Sequence, residues 1–408
     1  MFLLWIATSV SQSGDYIFNI ALIWYVLAST QSVLDVGITQ AIVNIPPALI
    51  APIAGVYADR FNRRNVMIYS ALFQGGITAI TSFAYVSKTL SFLPLMVLLF
   101  LLFSGAQFFI AAINAYIPRA VDPKDLASAN SLFSMSSMSN KLIGYSVGAV
   151  LVLISGVFIP IVYDSFSFFA ATALLLLVSS SFGVALKSRV SGAVEENNTG
   201  SDIQATPSFF RDFKQGIGYF KTDKALYDLI FVGFALTFFA GGLVALLAPY
   251  AKLELHGESL TYGMLLVAAV IGGGIGAYVF GKIDSRKYVG LIFSLCVILS
   301  GVAAAIMGAL PNIVIAFTFG MLLGGSYFVA NLAVQVIIQA KVPSVLVARV
   351  YTVFFGMLAI AAPIASFLSG VFANYTSVAM IYLIYGICVS ITGILIFVFF
   401  KDILKEKY

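Results

Sequence analysis

The chain has 408 residues, of which 61% are hydrophobic and only 10% are charged. A soluble domain is about 45–50% apolar and about 25% charged, so this composition excludes an ordinary water-soluble fold and predicts a membrane protein. The net charge of +5 comes from basic residues in short loops between apolar runs, so we expect no nucleic-acid partner. One histidine and two cysteines within apolar runs predict neither a metal site, nor a cofactor, nor an enzyme.

Twelve long apolar runs predict twelve transmembrane helices. A helix needs about 20 apolar residues to cross about 30 Å of hydrocarbon, and inside the bilayer a helix satisfies its own backbone hydrogen bonds. The predicted helices cover residues 2–28, 36–57, 65–86, 92–116, 126–157, 159–186, 225–253, 260–280, 288–310, 313–340, 345–372 and 378–400. The predicted fold class is therefore an all-α membrane protein with two pseudo-symmetric six-helix bundles.

One internal segment is too polar to cross a membrane. Residues 187–224 contain several acidic, basic and amide side chains and divide the predicted helices six and six. We interpret this segment as a cytoplasmic linker, with a short surface helix at 209–220. It separates an N-terminal six-helix bundle, 1–186, from a C-terminal six-helix bundle, 225–408.

The distribution of basic residues predicts the orientation in the membrane. If the N-terminus is inside, nearly all of the 22 Lys and Arg residues fall in cytoplasmic segments. Only Lys88 and Lys252 fall outside, and Lys141 lies within a helix. Cytoplasmic loops of membrane proteins carry this positive excess. We therefore expect a multi-pass protein of the plasma membrane with both termini cytoplasmic.

The loop after the second helix carries a recognisable motif, Gly55-x-x-x-Asp59-Arg60-x-x-Arg63-Arg64. It resembles the G-x-x-x-D-R-x-x-R-R signature of the major facilitator superfamily, in the loop where that family carries it. The resemblance implies the six-plus-six helix fold and a transporter that works by alternating access. A weak echo between residues 120–123 and 340–343 agrees with a duplicated six-helix unit.

The motif residues predict a cytoplasmic gate. Glycine at position 55 allows another backbone to approach closely. Asp59 can accept hydrogen bonds from nearby helix ends, and the three arginines can bridge to carboxylates or lipid phosphates. Such a loop would hold the other bundle in one state and release it in another. The alternative is that these residues only anchor the loop at the membrane surface.

Two further segments, 11–15 and 117–132, are similar to drug and siderophore exporters of the superfamily, including macrolide-efflux and enterobactin-exporter-like proteins. Helix 5 departs from the exporter pattern, since Tyr145 stands where proline is usual. The resemblance implies a monomeric exporter of small amphipathic molecules coupled to a proton gradient, since the chain has no ATP-binding G-x-x-x-x-G-K-[ST] loop. The alternatives are an uptake symporter or facilitator for a polar solute, a non-transporting sensor, and a membrane-embedded enzyme.

Ionisable residues within helices are candidates for substrate or proton coupling, because a charge in the bilayer is costly. Asp15 and Lys141 lie near the middle of helices 1 and 5, and Asp164 lies near the outer end of helix 6, where we expect it to reach the membrane interface. In the family that the chain resembles, helices 1, 4, 7 and 10 line the central cavity. That arrangement implies cavity positions for Gln107 and Asn331.

Asp15 and Lys141 are predicted to form an intramembrane ion pair. They stand 13 and 15 residues along two helices that both run outward, so they differ in depth by only about 3 Å at 1.5 Å per residue. The family resemblance puts these helices side by side. Such a pair would either open during transport or simply fix the packing of the two helices.

Overall fold

The computed structural model describes residues 2–178, 218, 220, 224–283 and 285–399, and every regular element in these ranges is helical. The helices are α1 (Phe2–Thr30), α2 (Val33–Leu49), α3 (Ala51–Arg60), α4 (Arg63–Val86), α5 (Phe92–Ala120), α6 (Leu126–Ser155), α7 (Phe158–Leu177), α8 (Lys224–Ala245), α9 (Ser259–Lys282), α10 (Ser285–Ala309), α11 (Ile313–Lys341), α12 (Ser344–Ala359), α13 (Ala361–Phe372) and α14 (Val378–Phe399). The predicted linker, apart from residues 218, 220 and 224, lies outside the described residues.

These helices reproduce the predicted segments in order. Within the described ranges, ten helices are long and apolar enough to cross a membrane, and the bent pair α2–α3 forms an eleventh span. The first helix, α1, has 29 residues but is not among them. Gln12, Asp15 and Asn19 lower its hydropathy, and such polar residues in a membrane helix face the interior of a bundle.

Prolines account for the breaks within two predicted helices. The second predicted helix bends by 42° between α2 and α3, at Ile50, just after Pro46 and Pro47. Proline lacks a backbone N–H and its ring collides with the preceding turn, so it kinks a helix. The eleventh predicted helix is divided at Ile360, and Pro363 follows in the first turn of α13, where a missing N–H is tolerated.

The described helices form two bundles with matching internal packing. In the first bundle, α4 packs against α5 and α7, and α1 packs against α6. In the second bundle, α10 packs against α11 and α14, and α8 packs against α13. These equivalent pairs agree with the predicted pseudo-symmetry between the two bundles, and the division into two units of six helices stays a prediction. A core of buried side chains, which includes Phe18, Tyr250 and Tyr382, continues from one bundle into the other.

The bundles touch at the end of the molecule opposite the N-terminus. There, α2 packs against α13 through Gly37, whose added Cβ would lie 2.6 Å from the carbonyl oxygen of Ser366. On the other side, α6 packs against α9, and the Ser259 hydroxyl donates a hydrogen bond to the Ala149 carbonyl at 3.2 Å. Glycine at position 263 meets Ala149 next to this bond. Two small-residue contacts therefore close this end.

Candidate functional site

A cavity of about 570 Å³ separates the bundles toward the end that carries the N-terminus. Its walls are the inner part of α2, the bent segment α3, one residue of α5, and α12 of the second bundle. The lining residues are Pro47, Ala48, Ala51, Pro52, Gly55, Val56, Asp59, Gln107, Thr352, Phe355, Gly356 and Ala359. This volume lies in the range of small-molecule sites, and a mostly apolar wall with a few polar groups suits an amphipathic ligand.

The position of Gln107 agrees with its prediction as a cavity residue. It is 9% exposed, and its amide donates a long hydrogen bond of 3.4 Å to the Phe103 carbonyl within its own helix. Asn331 also bonds within its own helix, to the Tyr327 carbonyl at 2.9 Å, and it is not among the residues that line this cavity. Its assignment to a substrate pathway therefore stays a prediction.

Two of the predicted gate residues, Gly55 and Asp59, line this cavity. Glycine at position 55 was predicted to allow another backbone to come close. In this conformation no atom lies within 4 Å of a Cβ added at this position, so no backbone uses that space. The side chain of Asp59 is 73% exposed and pairs only loosely with Arg63, at 3.9 Å within the same bundle. Arg60 is exposed. The contacts of Asp59 therefore stay within the first bundle, and the role of the motif as a gate stays a prediction.

Arg64 has a different role from the other motif arginines. Its guanidinium donates to the Leu175 carbonyl at 3.1 Å and to the Leu176 carbonyl at 2.7 Å. The last carbonyls of a helix lack partners within the helix, so Arg64 caps the C-terminal end of α7. The sequence had suggested carboxylates or lipid phosphates as its partners. The described contacts instead show that Arg64 links α4 to the end of α7 within the first bundle.

The predicted ion pair between Asp15 and Lys141 is not present. No salt bridge joins them within 4 Å, and the ammonium of Lys141 lies 5.9 Å from the ring centre of Tyr16. Consecutive residues of a helix are rotated by about 100°, so Asp15 and Tyr16 face different neighbours. Similar depth along two helices does not bring two side chains together unless both lie on the facing sides of those helices.

Polar side chains of α1 and α6 form hydrogen bonds across the interface between these two helices. Ser9 and Ser136 share a hydrogen bond of 2.7 Å, and the amide of Asn140 donates to Gln12 at 3.2 Å. Two glycines of α6 lie close against α1, because an added Cβ at 144 would lie 2.5 Å from the Cβ of Tyr16 and one at 148 would lie 3.0 Å from the Cα of Ile17. Small residues permit this close helix contact, and polar side chains then bond across it.

The opposite face of α1 meets α7 at an acidic residue. Asp164 is fully buried, and neither of its carboxyl oxygens has a hydrogen-bond partner in the protein. Glycine at position 14 leaves the necessary space, because an added Cβ there would lie 2.7 Å from Asp164 Oδ1. The expectation that Asp164 reaches the membrane interface is therefore wrong. A glycine on the neighbouring helix lets α1 cover it completely.

Sequence reasoning missed the second wall of the cavity. Thr352, Phe355 and Gly356 of α12 face the motif residues, although nothing in their spacing distinguishes them from a packed helix face. The contact between Ser259 and Ala149 was also missed. Small residues at 144, 148 and 263 are the only sequence signal for that closure, and small residues also serve ordinary helix packing.

Comparisons with known proteins agree with this geometry. The profile of a family described as "Transmembrane secretion effector" matches residues 1–406. Macrolide efflux protein A of Streptococcus pyogenes is 22% identical, over 95% of this chain and 93% of that protein. The staphyloferrin A transporter of Staphylococcus aureus is 24% identical, over 97% and 94%. The crystal structure of a bacterial homolog of the lysosomal transporter Spinster, in an inward-facing and unoccupied conformation, superposes with a TM-score of 0.71 at 14% identity, over 100% of this chain and 98% of that one.

Proposed function

Because the chain belongs to the major facilitator superfamily, in the family described as "Transmembrane secretion effector", we propose that it is a proton-driven exporter of small amphipathic molecules that works by alternating access. The observation that carries the proposal is a pair of bundles in contact at one end and separated at the other. Alternating access requires a closure of this kind that can move from one end to the other.

The cavity opens on the side from which an exporter would take its substrate. The cavity opens at the end that carries the N-terminus and the arginine-rich loop, which the charge distribution assigns to the cytoplasm. A cytoplasmic opening exposes the binding surface to compounds inside the cell. The apolar walls around Asp59, Gln107 and Thr352 favour amphipathic molecules over sugars or ions.

The names of two relatives support the same substrate class. According to their names, one is a macrolide efflux protein and the other transports staphyloferrin A. Both kinds of compound combine polar groups with an extended carbon framework. We place the driving proton at Asp15, because a partly buried carboxyl group near the middle of α1 can exchange a proton without a metal or nucleotide.

Accumulation of a tritiated macrolide in whole cells tests this function. Cells that express the chain should accumulate less of the probe than cells with the empty vector, and a protonophore should abolish the difference. Higher accumulation in the expressing cells would favour the uptake alternative. An export that persists after the protonophore would contradict proton coupling. A labelled carboxylate siderophore is the second probe, to be measured in the same way.

A further inference from the structure

A second cavity, of about 750 Å³, lies on the first bundle between α3, the first half of α4 and the middle of α5. The residues that line it are Ile53, Tyr57, Phe61, Asn62, Asn65, Val66, Tyr69, Ser70, Phe73, Ser104, Gly105 and Phe108, and we call it the aromatic groove. The cavity between the bundles is lined by other residues of α3, which include Pro52, Gly55 and Val56. The short helix α3 therefore has the cavity on one face and the aromatic groove on another.

The aromatic groove is on the outer surface of the first bundle. The main packing contacts of α3, α4 and α5 are all with helices of that bundle. Both α4 and α5 are long and apolar enough to cross a membrane, so exposed apolar side chains on their outer faces meet lipid. Ile53, Tyr69 and Phe73 of the groove are exposed in this way. The groove is therefore open to the bilayer.

The dimensions of the groove fit one leaflet of a membrane. It runs along α4 from Asn62, at the start of the helix, to Phe73, eleven residues further on. This distance is about 16 Å at 1.5 Å per residue. Half of the hydrocarbon core of a bilayer is about 15 Å thick. The groove thus extends from the membrane surface to about the middle of the bilayer, as an acyl chain does.

Aromatic rings form a continuous apolar wall along the groove. The ring of Tyr57 stacks on that of Phe61, with 4.1 Å between the ring centres, and meets Phe108 edge-on at 5.6 Å. These contacts join α3 to α5 and leave the remaining faces of the rings toward the groove. Polar lining residues cluster at the outer end of α4, where Asn62 and Asn65 are exposed. An occupant should therefore have an apolar body and a polar end.

Two arginines stand at the polar end of the groove. Arg60 follows Ile53 by seven residues, or about two turns, and so shares its face of α3. Arg119 follows Phe108 by eleven residues, or about three turns, and so shares its face of α5. Both side chains are exposed, and neither has an ion-pair partner within the described residues. Two uncompensated cations therefore face the polar end of an apolar groove.

The other charges nearby leave this end positive. Asp59 lines the cavity between the bundles and pairs with Arg63, and Arg64 is held by the carbonyls at the end of α7. Positions 59–64 and 119–125 together carry five basic and three acidic residues. The polar end of the groove therefore matches an anionic group.

We propose that the aromatic groove binds an anionic phospholipid of the cytoplasmic leaflet, with one acyl chain along the aromatic wall and the phosphate at Arg60 and Arg119. Guanidinium groups bind phosphate oxygens through charge-assisted, often bidentate hydrogen bonds. Basic residues on the cytoplasmic side attract anionic head groups in the same way. This inference goes beyond transport, because the lipid is a bound component of the protein and not its cargo.

A transported compound fits the groove less well than a lipid. The helix α3 separates the groove from the cavity between the bundles, so a compound in the groove lies outside the path between the two ends of the molecule. A lipid in this position supports the outer face of α3, whose other face carries Gly55 and Asp59 toward the cavity. Its binding therefore bears on the segment that holds the predicted gate.

Fluorescence quenching by brominated phospholipids tests the site. The native residues Trp5 and Trp24 are replaced by phenylalanine, and Tyr69→Trp places a single reporter on the groove wall. The bilayer contains phosphatidylcholine and phosphatidylglycerol in equal amounts, and only one of the two carries bromine on its acyl chains at a time. Phosphatidylglycerol should bind beside the reporter about fivefold or more tightly than phosphatidylcholine, because a single arginine near the surface favours an anionic lipid by about that factor.

The matched control is Tyr278→Trp in the same background. Tyr278 is 64% exposed, compared with 69% for Tyr69, and the ammonium of Lys282 lies 4.5 Å from its ring centre. This reporter therefore measures the general attraction of an anionic lipid to one basic residue. The preference at position 69 should exceed the preference at 278, and it should fall to that level in the double variant Arg60→Gln/Arg119→Gln. Because both arginines are exposed, this variant should fold, which thermal unfolding checks.

A second variant tests the apolar part of the site. Ser104→Phe places a large side chain in the inner part of the groove and leaves both arginines intact. The preference of the reporter for phosphatidylglycerol should fall at least severalfold in this variant, because the acyl chain loses its place. An unchanged preference would mean that the groove does not seat the chain.

Four other results would overturn the proposal. Equal preferences at positions 69 and 278 would mean that no specific site exists. A preference that persists in the double arginine variant would mean that the arginines do not hold the head group. Loss of quenching on addition of a macrolide would make the groove a substrate site, and loss on addition of inorganic phosphate would make it a site for soluble anions. The measurement needs no gradient and no transport, so its result is independent of the proposed function.

Discussion

Replacing Gly37 by alanine should open the closed end of the molecule. Its new methyl group would lie 2.6 Å from the carbonyl oxygen of Ser366 and 2.9 Å from the Cα of Gly370, and both obstacles are backbone atoms that cannot rotate away. The two helices would have to separate by roughly 1 Å to restore an ordinary contact of about 3.5 Å.

The free-energy cost of the Gly37→Ala substitution can be estimated from known effects of adding methyl groups to packed protein interiors. Inserting a methyl group into a close contact costs about 1–3 kcal/mol. This cost applies only while α2 and α13 touch, so it destabilises the present conformation relative to one in which this end is open. A difference of about 1–3 kcal/mol changes a two-state ratio by about 5–150-fold. The open population should therefore rise by that factor.

Pulsed electron resonance between spin labels at Thr89 and Tyr375 can measure this change. Both residues are exposed, and they lie in loops of different bundles at the closed end. The native cysteines would be replaced by serine. Gly76→Ala is the control, because an added Cβ there has no neighbour within 4 Å and changes only the helix propensity. If Gly37→Ala and Gly76→Ala give the same distance distribution, the contact does not hold this end closed.

Three further predictions concern the gate, the charges and the topology. Asp59→Asn should slow transport and leave ligand binding largely intact, because a gate changes the population of states and not the pocket; unchanged flux would leave Asp59 as an anchor. Asp15→Asn and Lys141→Met should have additive effects on stability, since no ion pair joins them, and a double mutant that recovers the stability lost in the singles would contradict this. Single cysteines at Ser201 and Thr376 should react with an impermeant reagent from opposite sides in intact cells, and labelling of Ser201 from outside would refute the proposed orientation.

The helices could be predicted from the sequence because hydrocarbon thickness fixes the length of an apolar run. The break near Pro46 and Pro47 is also marked in the sequence, since proline in the interior of a helix removes a backbone hydrogen bond and collides with the preceding turn. The pseudo-symmetry required only the count of runs and the polar segment between them. These features depend on local composition, which a single sequence contains in full.

The arrangement of the charged residues could not be predicted in the same way. Depth follows from counting residues, but the neighbours of a residue depend on the rotation of its helix. Gly14 of α1 lies against Asp164, whereas Tyr16, two residues further on, is approached by Lys141. The burial of Asp164 depends on Gly14, a residue of another helix. The wall formed by Phe355 depends on how far the bundles are separated, which is a property of the conformation.

Proton movement in inside-out vesicles tests the central claim most directly. In these vesicles the cytoplasmic face is outside, and a pH-sensitive dye reports an interior made acidic beforehand. Adding a macrolide should release protons from vesicles that contain the chain, while the labelled macrolide accumulates inside, and vesicles without the chain should show neither change. Accumulation of the macrolide without proton release, or protons that move inward together with it, would contradict a proton-driven exporter.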